Sequence, residues 1–292
     1  MIRITKDTRN LLSKVTGQRL QNALKITLSY YISRWLKKNM LAGMPVAMAI
    51  EPTTACNLRC PECPSGLRAF SRPTGMLNTT SFKTIIDEVK RNLLYLTFYF
   101  QGEPYLHPDF LGMVSYAASK NIYTATSTNA HYLTPDNARK TVASGLDRLI
   151  ISLDGTTQKT YGAYRKGGRL QKVLDGTQNV TSWKKKLGSA TPHVVFQFLV
   201  VKPNEHQMAS ARQLAEEMGA DEIVFKTAQI YNYRHGSPLI PENDQYSRYR
   251  QLPDGTWQIK NKLANGCWKM WHSCVITWDG KVVPCCFDKD AH

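Results

Sequence analysis

The sequence predicts an α/β protein: a partial (β/α)6 barrel, TIM-like in plan, with a small cysteine-rich extension behind it. Three observations carry this prediction. From residue 46 short β-rich runs alternate with helical patterns through six steps, and the alternation stops near residue 230. Right-handed crossovers turn six such steps into a parallel sheet that curls. The polar signals fall just after the strands, at the rim where helix N-termini and free backbone groups converge. Beyond residue 230 the chain reads as loop and linker and then as a second group of cysteines. The division is therefore 1–45, 46–229 and 230–292.

Residues 1–45 are strongly basic. Arg3, Lys6, Arg9, Lys14, Arg19, Lys25, Arg34, Lys37 and Lys38 face the single acid Asp7, a surplus of eight that is half of the formal net charge of +16. Leu20, Leu24, Leu28, Tyr31 and Trp35 follow steps of four, four, three and four, which predicts an amphipathic helix over residues 18–38. Its simplest use is to pack the apolar stripe on the main domain and leave a basic face in water. Contact with a membrane surface or with nucleic acid is the alternative; no strong nucleic-acid signal accompanies it. The apolar stretch 40–50 imitates a signal peptide, yet it begins far from Met1, carries Gly43 and Pro45, and is too short to span a bilayer. With no export signal, the seven cysteines read as thiols or metal ligands in a reducing cytoplasm. A composition of 42% hydrophobic and 21% charged residues describes a globular chain and excludes a disordered one.

The barrel strands are predicted at 46–51, 95–100, 123–128, 148–153, 194–201 and 222–225, and helices near 80–93, 109–120, 135–144, 169–187 and 205–218. Thr134 before Pro135 is an N-cap with proline at the first helical position, and Asn204 caps the helix that Gly219 ends. Lys184, Lys185 and Lys186 complement a helix C-terminus. In the extension, residues 275–283 read as a hairpin with an Asp279-Gly280 turn between β-branched residues.

The chemistry starts at Cys56, Cys60 and Cys63, in the run Cys-Asn-Leu-Arg-Cys-Pro-Glu-Cys directly after the first strand. Three thiolates hold three corners of a cubane iron–sulfur cluster and leave the fourth iron open for chemistry. A zinc knuckle is the bland alternative, but it needs a fourth Cys or His at short spacing, and the next histidine is His107. His107 itself reads as a loop residue beside the next helix start. The Cys-x3-Cys-x2-Cys spacing resembles the radical S-adenosylmethionine (radical SAM) enzymes, and the resemblance extends over about residues 46–292. It implies a 4Fe-4S cluster on the three cysteines and SAM on its open iron, with reductive cleavage giving a 5′-deoxyadenosyl radical that takes hydrogen from the substrate.

By the same resemblance, Gly102 and Glu103 sit in the family's Gly-Gly-Glu motif and meet the SAM amino group, with Gln101 in place of the first glycine. Ser127 and Asn129 match the ribose-contacting strand end, and Ser152 with Arg165 matches the pair that holds the SAM carboxylate; Asp154 stands beside them. An arginine fork suits a carboxylate. On residues alone, Asp154-Gly155 also reads as a turn and Ser127 as the end of a strand. Glu62 stands where the family places an apolar residue. Cys267, Cys274 and Cys285, the last in Gly-Lys-Val-Val-Pro-Cys, resemble the opening of a SPASM extension, which carries auxiliary iron–sulfur clusters in sulfatase-maturating enzymes and peptide-cofactor maturases. Cys286 is set apart, because neighbours on an extended chain point apart. With only His292 after these cysteines, the expectation is an incomplete auxiliary site or a fragment.

These features predict a cytoplasmic enzyme that oxidises or crosslinks a peptide or protein side chain, fed by an electron donor such as flavodoxin or ferredoxin. Radical oxidation or rearrangement of a small metabolite such as a sugar is the rival reaction. A non-enzymatic iron–sulfur or zinc-binding module is the rival class, and Gly102, Glu103, Ser152 and Arg165 argue against it, since a structural cluster needs no SAM pocket. No general base identifies itself.

Overall fold

The computed structural model describes residues 5–261 and 266–291, so Arg3 and His292 lie outside the described residues. Six strands, β1 (Ala47–Ile50), β2 (Tyr95–Thr97), β3 (Tyr123–Thr128), β4 (Arg148–Ser152), β5 (His193–Val200) and β6 (Glu222–Thr227), pair in that order and all in parallel. Two more pairs follow. β7 (Tyr249–Gln251) and β8 (Trp257–Ile259) form a separate antiparallel hairpin, while β9 (Ser273–Ile276) lies parallel to β1 and carries β10 (Val282–Val283) antiparallel on its far side. The extension thereby completes an eight-stranded sheet in the order β10-β9-β1-β2-β3-β4-β5-β6.

The helices are α1 (Lys6–Ser13), α2 (Gly17–Leu36), α3 (Pro64–Leu67), α4 (Thr79–Val89), α5 (Phe110–Ser119), α6 (Pro135–Ala143), α7 (Gln158–Tyr164), α8 (Leu170–Lys186), α9 (Met208–Glu217) and α10 (Trp268–His272). Between the sheet and the crossover helices sits a dry core, with Phe82, Ile86, Leu93, Phe98, Phe110, Val114, Leu149, Ile151, Val180 and Phe196 fully buried. The strands are rich in β-branched and apolar residues, β3 with three threonines among them, which is why short β-rich runs marked them in the sequence. β2 is shorter than expected because the chain leaves the sheet after Thr97, although the Phe98 N–H still reaches the Ala125 carbonyl at 2.8 Å.

The helix signals resolve residue by residue. Thr134 caps α6 through the Asn137 N–H, with Pro135 at the first position. Asn204 precedes a 3₁₀ turn that leads into α9, but its side chain is not a cap: Oδ1 accepts from the Val201 N–H and Nδ2 donates to the Asp154 and Leu199 carbonyls. A buried amide is worth more tying two strand ends than closing an exposed turn. α7 was not foreseen; a capping box between Thr157 and Thr160 starts it.

The basic segment packs in the reverse sense to the expectation. α2 buries Arg19, Asn22, Ile26, Ser29, Tyr30 and Ser33, and its stripe of Leu20, Leu24, Leu28, Tyr31 and Trp35 faces outward. The inward face is polar because the domain offers it unpaired carbonyls. Arg19 donates from Nη1 to Lys14 and Asn121 and from Nη2 to Lys90 and Lys120. Asn22 brackets the backbone of Met44 with two hydrogen bonds. Aromatic contacts of Tyr30 with Trp268 and Trp271 fasten α2 to α10.

Candidate cofactor site

The loop after β1 is held by its own backbone. Cys63 precedes α3, whose first residue is Pro64, and Gly66 lies against Cys60 so closely that a Cβ there would stand 2.5 Å from the Cys60 nitrogen. No other residue fits that contact. The Arg59 N–H donates to the Lys166 carbonyl at 2.9 Å, and Arg68 donates to the Cys56 carbonyl at 3.0 Å. Glu62, where the family's apolar residue is missing, accepts from the Tyr231 N–H at 2.9 Å and ties the loop to the segment after β6.

The segment after β2 straps across this loop. Gly102 donates to Ser65 Oγ at 2.8 Å, and the Glu103 N–H donates to the Ala55 carbonyl at 2.7 Å. At φ +75°, Gly102 presses on the Thr53 carbonyl, which a Cβ would approach to 2.1 Å. The glycine is thus demanded by the protein's own backbone. Glu103 is buried: its carboxylate accepts from the Thr128 hydroxyl at 2.7 Å, the Asn129 N–H at 2.8 Å and the Tyr105 N–H at 3.4 Å. Burial pushes its pKa above the usual carboxylate range despite these bonds.

Cys56, Cys60 and Cys63 line one cavity with Gly102, Glu103, Ser127, Asn129, Ser152 and Arg165, so β1, β2, β3 and β4 all deliver their expected residues to one place. Asp154 is the exception. It lies behind Arg165, accepting from Arg165 Nε through Oδ2 and from the Leu199 N–H through Oδ1, and it positions the guanidinium. Burial works against the Arg165 charge, but Asp154 and then Cys60 outweigh it and hold its pKa well above the usual value. Arg165 Nη1 points to Cys60 Sγ at 3.7 Å.

These residues fit a cluster with SAM beside it. The thiols line a space shared with an arginine, a carboxylate and two serine hydroxyls, a donor set for an amino-acid headgroup. No three His, Cys, Asp or Glu side chains among the described residues converge on a single ion, whereas the ligands of a cluster stand on different irons and spread wider. Burial pushes the Cys56 thiol up to about 11 and raises Cys60 as well, so metal loading must displace their protons.

The second cysteine group is looser. Cys274, on β9, lines a cavity with Cys285 and Cys286, while Cys267 before α10 is exposed and outside it. Cys286 shares this cavity because residues 284–287 bend and turn, so alternation along an extended strand does not apply there. Lys269 Nζ donates to Cys286 Sγ at 3.3 Å. Tyr99 and Phe100 line both cavities. The sequence reading missed them, as it missed Ser65, Gly66 and Asn57, whose Oδ1 accepts from Asn129 Nδ2 at 2.8 Å. The only available signal was their position one or two residues from a motif. His107 is a loop residue as read: buried, with Nε2 2.8 Å from the Leu77 carbonyl.

Residues 50–205 match the Radical SAM superfamily, and residues 267–292 match SPASM, an iron–sulfur cluster-binding domain. Mycofactocin maturase MftC of Mycobacterium tuberculosis is 31% identical over 176 residues, 60% of this chain and 43% of that protein. An AdoMet-dependent heme synthase of Methanosarcina barkeri is 30% identical over 62% of this chain and 50% of its own. PqqA peptide cyclase of Gluconobacter oxydans is 26% identical over 77% and 60%. The chain spans about half the length of the curated relatives it matches. Among solved structures, Streptococcus suis SuiB bound to S-adenosylmethionine shares the fold at a TM-score of 0.65 with 14% identity, over 91% of this chain and 64% of that one. With its cysteine loop after the first strand and its parallel sheet, the chain belongs to the radical SAM superfamily.

Proposed function

We propose that this chain binds a 4Fe-4S cluster through Cys56, Cys60 and Cys63 and SAM beside it, and uses them to oxidise or crosslink a side chain of a peptide or protein. The observation that carries the reading is the single cavity into which the three thiols, Glu103, Ser127, Ser152 and Arg165 all open. Bound and reduced, cluster and SAM supply a 5′-deoxyadenosyl radical for hydrogen abstraction. The protein's part is placement. Arg165, locked by Asp154, presents its guanidinium to the SAM carboxylate; Glu103, seated by β3, offers a carboxylate to the ammonium; Ser127 and Asn129 face the ribose. Asp154 acts through Arg165 as a positioning residue.

A peptide substrate is supported by the PqqA peptide cyclase match. A groove of about 700 Å³ beside the β7–β8 hairpin, lined by Tyr231, Tyr233 and Tyr249, offers room for one, and Glu62 joins its edge to the cysteine loop. The heme synthase match favours a second reading, a small-molecule substrate. The cytoplasm and a flavodoxin or ferredoxin donor complete the proposal; no helix among the described residues is long and apolar enough to cross a membrane. Anaerobic reconstitution followed by reduction and a search for 5′-deoxyadenosine tests it. About four irons bound through the barrel cysteines and reductive SAM cleavage support the reading. Tight zinc binding with no cluster overturns it, and a mass change in a co-incubated precursor peptide separates the two substrate classes.

A further inference from the structure

α2 is amphipathic with its apolar side out. At 100° per residue, Arg19, Asn22, Ile26 and Ser33 mark the inward line, and Leu20, Leu24, Leu28, Tyr31, Ile32 and Trp35 fall on the opposite side. All six are exposed, Trp35 to 82%. The helix cannot turn this stripe inward, because the other face is already bonded to the barrel through Arg19, to the segment before β1 through Asn22 and to the C-terminal extension through Ser29 and Tyr30. Met40 and Leu41 extend the exposed apolar surface past the helix end. A patch of this size on a water-facing ridge asks for an apolar cover.

Charge decides which cover. From Thr8 to Ile50 there is no acidic residue, while Lys25, Arg34, Lys37 and Lys38 stand exposed on or beside the helix. A second copy would bring the same positive charge against itself. An anionic bilayer supplies both the apolar depth and the opposite charge, with lysine stems along the stripe and ammonium heads at the phosphates. Tyr31 and Trp35 suit the interface, where a ring is apolar on its face and polar at its edge. We propose that α2 lies in the plane of an anionic lipid surface and seats the barrel on it.

The test is flotation of the anaerobically reconstituted full chain with vesicles of phosphatidylcholine alone and of phosphatidylcholine with phosphatidylglycerol. The protein should float with the second, not the first, and raised salt should release it. The double variant Leu24→Glu, Leu28→Glu should lower the bound fraction at least about tenfold, since both side chains leave the lipid. The triple variant Lys25→Gln, Lys37→Gln, Lys38→Gln, which keeps the stripe, should lower it roughly tenfold or more on anionic vesicles. Both should keep the wild-type Tm, because every changed side chain is exposed. Absence of flotation, or flotation untouched by the leucine pair, overturns the proposal. So does a dimer, or a complex with an acidic protein, that the leucine pair dissolves while nothing floats.

Discussion

The barrel cysteines and the C-terminal cysteines are bound into the fold by different means. Cys56, Cys60 and Cys63 share one loop of eight residues, fastened by Gly66 packed on the Cys60 backbone, by Ser65 under Gly102 and by Arg68 on the Cys56 carbonyl. Cys267, Cys274, Cys285 and Cys286 are spread from before α10 to the turn after β10, and Cys267 is exposed. What seats the second region on the barrel is remote. Arg72 forks onto Glu51 of the β1 end, Nη1 to Oε2 at 2.9 Å and Nη2 to Oε1 at 2.6 Å, and its Nε reaches the Lys289 carbonyl. The Trp278 N–H adds a bond to the same Glu51 carboxylate. One region is a short loop that presents its three cysteines to one cavity; the other is a flap in which Cys274, Cys285 and Cys286 meet because a buried ion pair and the β1–β9 pairing bring them together. The first region leans mostly on contacts within and beside its own loop, whereas the seating of the second on the barrel depends on partners distant in the chain.

Substitutions in each region test this contrast. The largest effect falls on Cys56→Ala, Cys60→Ala, Cys63→Ala together: 5′-deoxyadenosine formation should drop to background, whereas alanine at the four C-terminal cysteines should leave SAM cleavage measurable. Iron counting on the barrel triple should give near-zero metal after buffer exchange; about four retained irons would mean the C-terminal group needs no help and the contrast fails. Next, Arg72→Met strands the Glu51 carboxylate and should cost roughly 3–5 kcal/mol of stability in thermal or urea unfolding. Protease sensitivity should rise first in the C-terminal flap.

A smaller effect belongs to Arg165→Lys, which keeps the charge but not the planar fork. SAM affinity should weaken by about 1.5–3 kcal/mol, tenfold and upward, with cluster content unchanged. Asp154→Asn should follow in the same direction through loss of the Arg165 anchor. The smallest effect belongs to Cys267→Ser: in the metal-free chain its exposure predicts a stability change within about 0.5 kcal/mol, read as a shift in Tm. A large loss there would show the flap to be better packed than its cysteines suggest.

Much of the barrel was legible because parallel strands and their crossover helices write themselves into the chain as β-branched or apolar runs and caps. β3 and β4 lie where residues 123–128 and 148–153 were read, within one residue at their ends, and Thr134 caps α6 as its neighbours indicated. The cysteine spacing marked Cys56, Cys60 and Cys63 as one group, since three residues within eight have little freedom to be elsewhere. Contacts between distant segments were not legible. Nothing around Ser273 announces that it pairs beside Ala47, and nothing around Asp154 announces that it stands outside the cavity and holds Arg165.

α2 marks the boundary most sharply. Its period, length and charge were open to reading in the sequence, because a helix places every fourth residue on one side whatever surrounds it. Which side faces the protein depends on carbonyls at Lys90, Lys120 and Asn121 that only the folded barrel gathers around Arg19. Local pattern in the chain was enough for the six parallel strands, their main crossover helices, the cysteine loop and the family, but not for α7 or the β7–β8 hairpin. The tertiary structure decided which surfaces meet, because hydrogen-bond partners far apart in the chain outweighed the hydrophobic pull of the stripe.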